Sequence, residues 1–100
     1  MSIPKPPVKK LDISKINNVC EKLLNKYGEK QLIIGIEELS ELIKAITKVL
    51  RGEFDIENIT EEIADVFIIL EQLKLYFNIG ENELNEVIEF KVDRTKEKYL

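Results

Sequence analysis

Three of the four glycines divide this chain into segments in which apolar residues recur at the spacing of an α-helix. Gly28, Gly52 and Gly80 stand where such a pattern ends, and glycine stops helices because it adopts left-handed backbone conformations without steric cost. Within the segments, apolar side chains return every three or four positions, which is typical of one helix face, and no strand-like alternation is present. The connections are short. The pattern therefore predicts an all-α fold, an antiparallel four-helix bundle.

The helix boundaries follow from capping residues and from the glycines. The predicted helices run from Asp12 or Ser14 to Tyr27, from Glu29 to Arg51, from the N-cap Thr60 to Phe77, and from Glu81 to Tyr99. The predicted core positions are Ile16, Val19, Cys20, Leu23 and Leu24; Leu32, Ile36, Leu39, Ile43, Ile46 and Leu50; Ile63, Val66, Phe67, Leu70 and Leu73; and Leu84, Val87 and Ile88.

The length of 100 residues fits one domain. All three prolines fall near the start, so residues 1–11 are interpreted as an extended arm and residues 12–100 as a single helical domain. A chain this short buries a smaller share of its surface than a larger domain does, which favours a homodimer or homotetramer. The net charge of −4 argues against a nucleic-acid polymer as partner.

Two residue types exclude several kinds of chemistry. Cys20 is the only cysteine and the chain has no histidine, so an intrachain disulfide, a His-based triad and an imidazole zinc site are all excluded. No stretch approaches the length of a membrane span, and the first residues do not form a secretory signal pattern. We therefore expect a cytoplasmic protein with no membrane partner.

Two pairs of carboxylates have the spacing that points both members to one side of a helix. Glu38 and Glu41 lie three residues apart in the second helix, and Glu62 and Asp65 lie three apart in the third. Both pairs share their face with apolar side chains. Four carboxylates brought together repel one another unless a cation joins them, and an all-oxygen set selects a hard ion. For one pair alone, solvated surface acids are the simpler interpretation; two matched pairs favour a metal site.

Other polar residues surround these pairs along the sequence. Glu37 lies four residues before Glu41 and is a candidate ligand or general base. Gln31 lies seven residues before Glu38, nearly in line with it, and is either a contact to a nucleobase or to metal-bound water, or an ordinary residue at the start of a helix. Lys91 and Arg94 continue the apolar stripe of the fourth helix, and they reach phosphates if that helix packs beside the second and third.

The order and spacing of these motifs closely resemble the MazG-like nucleoside triphosphate pyrophosphohydrolases, of the all-α NTP pyrophosphatase superfamily. The matching motifs are Gly28-x-x-Gln31, Glu37-Glu38-Leu39-Ser40-Glu41-Leu42, Lys48-x-x-Arg51-Gly52 and Glu61-Glu62-Ile63-Ala64-Asp65-Val66. The resemblance runs from Gly28 to Leu73. It implies an oligomeric helical bundle in which Mg²⁺ is held by Glu38, Glu41, Glu62 and Asp65, with Lys91 and Arg94 near the phosphates. It also implies α–β cleavage of a (deoxy)nucleoside triphosphate to the monophosphate and pyrophosphate.

The expected function is therefore Mg²⁺-dependent hydrolysis of nucleoside triphosphates, with Mn²⁺ as an alternative ion and Glu37 or Glu41 accepting the proton of the attacking water. Two alternatives stay open. One is an enzyme similar to phosphoribosyl-ATP pyrophosphatase, which belongs to the same superfamily. The other is a helical oligomerisation module that binds a cation or nucleotide without turnover. A plain coiled coil is disfavoured because the glycines interrupt the helices.

Overall fold

The computed structural model describes residues 7–100, which form four α-helices. These are α1 (Ile13–Tyr27), α2 (Lys30–Leu50), α3 (Ile56–Tyr76) and α4 (Glu81–Tyr99). Residues 7–100 contain no strand, so the predicted all-α class with four helices is confirmed. Of the predicted N-terminal arm, residues 1–6 lie outside the described part, and residues 7–11 have no regular structure. Among the described helices, none is both long enough and apolar enough to cross a bilayer.

Local signals set the ends of α1. The carboxylate of Asp12 accepts a hydrogen bond from the Lys15 backbone N–H at 3.0 Å, so Asp12 is the N-cap. Gly28 ends the helix with φ at 57°, a conformation that glycine adopts without a Cβ clash, and its N–H donates to the Leu24 carbonyl at 2.7 Å. Both residues act as the sequence predicts.

The predicted start of α3 at Thr60 is wrong. The helix begins about one turn earlier, at Ile56, because the Asp55 carboxylate accepts from the Asn58 backbone N–H at 3.2 Å and caps it there. Thr60 lies inside the helix, where its hydroxyl donates to the Ile56 carbonyl at 2.7 Å. The earlier cap adds a turn of helix ahead of the second carboxylate pair.

Helices α2 and α3 form an antiparallel hairpin. Gly35 lies opposite Ile69, and Glu38 lies opposite Asp65, so the chain runs forward along α2 as it runs backward along α3. Helix α1 packs on another side of α3, where Cys20 is fully buried and its thiol lies 3.8 Å from the Ile68 carbonyl. The buried residues of this unit are Cys20, Gly35, Ala45, Val66, Ile69 and Gln72.

The predicted burial of the main apolar stripe of α2 is wrong for a single chain. Ile36 and Ile43 are each 65% exposed and Leu50 is 82% exposed. The stripe is apolar, as predicted, but α2 turns a different side, with Gly35 and Ala45, towards the rest of the chain. The same correction applies to predicted core residues elsewhere, which are exposed: Val19, Ile46, Ile63, Phe67, Leu70, Val87 and Ile88.

Helix α4 extends away from the other three. None of its residues is buried, and none of its Cα atoms lies within 8 Å of α1, α2 or α3. At its base, the Lys74 ammonium lies 3.8 Å from the Glu81 carboxylate. The radius of gyration is 16.7 Å, whereas a compact domain of this length has about 13 Å. The described chain is therefore a packed unit of three helices with the fourth projecting from it.

Candidate metal centre

Three carboxylates converge where α2 crosses α3. One oxygen each from Glu38, Glu62 and Asp65 lies within 4.8 Å of the other two, and we call these residues the acid triad. Glu62 and Asp65 reach the same place because residues three apart share a helix face. Glu38 joins them because the antiparallel pairing sets it opposite Asp65. Three of the four predicted metal ligands therefore come together.

Helices α2 and α3 approach each other closely beside the triad, at Gly35. A Cβ on Gly35 would stand 3.3 Å from the Cγ2 atom of Ile69, tighter than most such contacts. Gly35 lies about one turn before Glu38 on α2, and Ile69 lies about one turn after Asp65 on α3. The absence of a side chain at position 35 lets the backbones come near enough for short carboxylates to meet.

The triad is partly withdrawn from water. Glu38 and Glu62 are half-buried, and Asp65 is exposed. The Oε2 atom of Glu62 is buried and has no hydrogen-bond partner among the described residues. A buried carboxylate oxygen that nothing satisfies is destabilising, and native structures normally supply a donor, a water or an ion for it.

Electrostatic repulsion at this place shows in the acidity of Glu38. Burial raises the pKa of the Glu38 carboxyl above its usual value, and the charge of Asp65 and a hydrogen bond to Asp65 raise it further. The charges of Glu62 and Glu41 act in the same direction, with smaller effects. Within residues 7–100, the ion pairs lie elsewhere, at Arg51 and Lys74, so no basic side chain within 4 Å offsets this negative charge.

The other predicted site residues lie at different distances from the triad. Glu41 is exposed and lies outside the group of three, but its charge raises the pKa of the Glu38 carboxyl. Glu37 is exposed and points about 100° away from Glu38 around α2. Gln31 is half-buried and lies about two turns before Glu38 on the same side of the helix. The structure thus keeps Glu41 beside the triad, leaves Gln31 on the same side of α2 but about two turns away, and turns Glu37 away.

The two predicted phosphate contacts are not brought to the triad within one chain. Lys91 and Arg94 belong to α4, which does not pack on α2 or α3, and both are exposed. The Arg94 guanidinium lies over the ring of Phe90, 5.9 Å from its centre. The condition on which these residues reach the site, a fourth helix packed beside the second and third, is not met by this chain alone.

Gly35 is the residue that sequence reasoning missed. It is the one glycine inside a predicted helix, and its position does not end any element. A glycine in a helix interior is costly, by about 1 kcal/mol relative to alanine, so its presence indicates a packing or functional reason. That signal was available in the sequence, three residues before the first glutamate of the triad.

The acid triad has the donor set of a hard divalent cation. Carboxylate oxygens are the ligands of Mg²⁺, Mn²⁺ and Ca²⁺, which bind oxygen at about 2.0–2.6 Å and so can bridge oxygens a few ångströms apart. The unsatisfied Glu62 oxygen and the raised pKa of Glu38 both fit such an ion, since a positive charge relieves each of them.

Comparison of the chain with models of known protein families, with curated proteins and with solved structures found no match.

Proposed function

We propose that this protein is a Mg²⁺-dependent hydrolase that cleaves nucleoside triphosphates to the monophosphate and pyrophosphate. The observation that carries the proposal is the acid triad, with a buried, unpartnered oxygen on Glu62. The order of acidic motifs, with its resemblance to MazG-like pyrophosphohydrolases, supplies the reaction class. The ion is Mg²⁺ or Mn²⁺, the hard cations that accept both carboxylates and substrate phosphates.

Each acidic residue has a role in this proposal. Glu38, Glu62 and Asp65 hold the cation, which when bound supplies positive charge that stabilises the phosphate oxygens and the leaving pyrophosphate. Glu41, at the edge of the triad, accepts the proton of the water that attacks the α-phosphorus. The new P–O bond forms as the bond to the α–β bridging oxygen breaks, and pyrophosphate leaves with the electron pair. We prefer Glu41 to Glu37 as the base because Glu37 points away.

Substrate binding needs more positive charge than the triad and one cation provide. A nucleoside triphosphate carries several negative charges, and it approaches a place already crowded with carboxylates. In our proposal Gln31 contacts the nucleotide and Lys91 and Arg94 contact its phosphates. Because α4 projects from its own chain, these two residues reach the phosphates by movement of α4 or from a second copy in a homodimer or homotetramer. A cytoplasmic location stays a prediction.

Projection of α4 also favours a second candidate function, a module that binds a cation or nucleotide without turnover. If Lys91 and Arg94 never approach the triad, the acidic site lacks the basic groups that phosphate chemistry needs. This candidate and the enzyme share the same metal site. They differ only in whether pyrophosphate is released.

The decisive experiment is a screen of the ribo- and deoxyribonucleoside triphosphates and phosphoribosyl-ATP with the full chain in Mg²⁺, detecting pyrophosphate. We expect release from one substrate class, and a loss of at least about 100-fold in the Glu38→Gln and Asp65→Asn variants. Glu61→Gln is the matched control, since Glu61 neighbours Glu62 but lies outside the triad. Thermal stabilisation by Mg²⁺ and nucleotide without pyrophosphate release selects the binding module. Full activity of E38Q and D65N overturns the proposed site.

A further inference from the structure

A groove lies where the end of the N-terminal arm meets helices α1 and α3. Its floor consists of four aliphatic side chains, which are Leu11, Ile16, Val19 and Ile68. Ile16 is half-buried and the other three are exposed, so this apolar floor faces water. The groove has a volume of about 350 Å³, within the range of about 300–1,000 Å³ that small-molecule sites have. We call it the arm groove.

The rim of the arm groove is basic. Lys9, Lys10 and Lys15 line it, and all three side chains are exposed. Within residues 7–100, none of these ammonium groups lies within 4 Å of a carboxylate. One acid, Asp12, also lines the groove, but its carboxylate is engaged as the N-cap of α1. The rim therefore offers positive charge that no ion pair in the described part of the chain neutralises.

The distribution of charge along the chain also sets this end apart. The first 30 residues contain seven lysines and three acids, whereas residues 31–100 contain eight basic and sixteen acidic side chains. An anion is therefore attracted to the arm and α1 and repelled by the rest of the chain taken together. The groove is separate from the acid triad, because the described residues that line it include Ile68 of α3 but none of the three acids.

The side chains of the groove define what kind of ligand it fits. Among the described residues that line it, none is aromatic, so a nucleobase finds no ring on which to stack. The same residues include no hydroxyl or amide side chain, so a polar body such as a sugar finds no neutral hydrogen-bonding partner. Ammonium groups do bind carboxylates and phosphates. The complementary ligand has an aliphatic body and one anionic head.

We propose that the arm groove binds a single-chain anionic amphiphile, an acyl carboxylate whose chain lies on the aliphatic floor and whose head contacts the lysines of the rim. Charge complementarity selects the anionic head, and burial of methylene groups on the floor holds the chain. Helix α4 does not pack on α1, so it does not cover the groove. The site is independent of the acid triad and its cation, so this proposal and the proposed hydrolase can fail separately.

The test is a calorimetric titration of the full chain with sodium decanoate, below its micelle concentration and without divalent metal. We expect saturable binding of one decanoate per chain, at least about 10-fold tighter than that of decyltrimethylammonium, which has an equal chain and the opposite charge. Hexanoate should bind at least about 10-fold more weakly than decanoate, since each buried methylene raises the affinity by up to about fourfold. Equal binding of the cation, or no dependence on chain length, overturns the proposal.

A pair of variants locates the acyl chain on the floor of the groove. Val19→Glu puts a carboxylate on that floor and is expected to weaken decanoate binding by at least about 10-fold. Val87→Glu is the matched control, because Val87 is 50% exposed against 48% for Val19 and lies on α4, outside the groove. It is expected to bind decanoate like the unchanged protein. Unchanged binding by V19E, or an equal loss in V87E, overturns the proposal.

A second pair of variants tests the rim and covers the case in which V19E does not fold. Replacing Lys10 and Lys15 together by alanine is expected to weaken decanoate binding by about 3- to 10-fold, because two exposed ion pairs are lost. Replacing Lys22 and Lys26 together is the matched control, since it removes the same charge from α1 outside the groove. Equal losses in both double variants overturn the proposal. Binding to phosphatidylglycerol vesicles without binding of free decanoate assigns the lysines to a membrane surface and overturns it as well.

Discussion

Gly35 and Ile69 set the distance between α2 and α3 beside the acid triad, because a Cβ at position 35 would lie 3.3 Å from the Ile69 Cγ2 atom. Ile69 is only 5% exposed and has little room to retreat. Alanine is the better helix former by about 1 kcal/mol, but overpacking of a filled contact costs about 1–3 kcal/mol. We therefore expect Gly35→Ala to lower the free energy of unfolding by up to about 2 kcal/mol, and each 1 kcal/mol corresponds to roughly 4–8 °C in Tm for this length.

A double-mutant cycle separates the contact from helix propensity. In an Ile69→Ala background the Cγ2 atom is gone, so Gly35→Ala meets open space and its helix propensity alone remains. The same substitution is then expected to raise the stability instead of lowering it. Thermal or urea unfolding of the four proteins measures the change. If G35A has the same effect in both backgrounds, the Gly35–Ile69 contact does not control helix spacing.

Removing one charge from the triad is expected to stabilise the protein in the absence of divalent metal. Glu38 is surrounded by Asp65, Glu62 and Glu41, all of which disfavour its charged form. Glu38→Gln keeps the shape and removes the repulsion, so in EDTA we expect a gain of roughly 0.5 kcal/mol, or about 2–4 °C in Tm. Glu61→Gln, outside the triad, is expected to change Tm by less. A destabilised E38Q protein would contradict mutual repulsion among these groups.

The crowding of carboxylates around Glu38 also makes the stability of the protein depend on pH, with a definite sign. The raised pKa of Glu38 means that the folded protein holds this proton at pH values where the unfolded chain has released it. Protonation therefore favours folding: the contribution of Glu38 destabilises the protein at neutral pH and disappears as pH falls through the pKa of the folded state towards the usual glutamate value. The difference in stability between the unchanged protein and E38Q should shrink over that interval in EDTA. A difference that grows with acidification would reverse the sign.

Magnesium is expected to make the unchanged protein more stable than E38Q, which is the reverse of the order expected in EDTA. A cation bound by the triad only in the folded state stabilises by about 2.7 kcal/mol when its concentration is 100 times its Kd. The unchanged protein then gains roughly 10 °C or more in Tm, while E38Q gains little. Calorimetric scans in EDTA and in a Mg²⁺ series measure both. A general salt effect would instead raise or lower the Tm of both proteins equally, and Na⁺ at matched ionic strength controls for it.

The convergence of the triad was predictable because it depends on local rules. Spacing of three residues puts Glu62 beside Asp65 on any helix, and a short connection makes the neighbouring helix antiparallel. The capping role of Asp12 was predictable for the same reason. The start of α3 was not, since Asp55 and Thr60 are both good N-caps and the sequence does not rank them by which one starts a longer helix.

The sequence-based prediction was wrong about which apolar residues are buried, for a physical reason. Periodicity identifies which side of α2 is apolar, but the same pattern serves whether the covering surface comes from this chain or from another. Ile36 and Ile43 were assigned to a core that one chain does not build. The seven-residue spacing of the apolar stripe on α2 carries the missing information, because a strict heptad indicates a helical partner along that stripe. Gly35 and Ala45 instead indicate the side of α2 that makes a close contact within the chain.

The last prediction concerns the basic residues of α4. If Arg94 contacts the substrate phosphates, Arg94→Ala should lower kcat/KM by about 10- to 100-fold, mainly through KM, because a bidentate guanidinium contact to phosphate is lost. Lys96→Ala is the matched control, since Lys96 is an exposed cation two residues on and about 200° around the helix. Because Arg94 and the triad are apart within one chain, mixing impaired R94A with inactive D65N subunits should give more activity than R94A alone if the contact forms between copies. Mixed subunits that are no more active than R94A alone would indicate that α4 folds back onto its own chain.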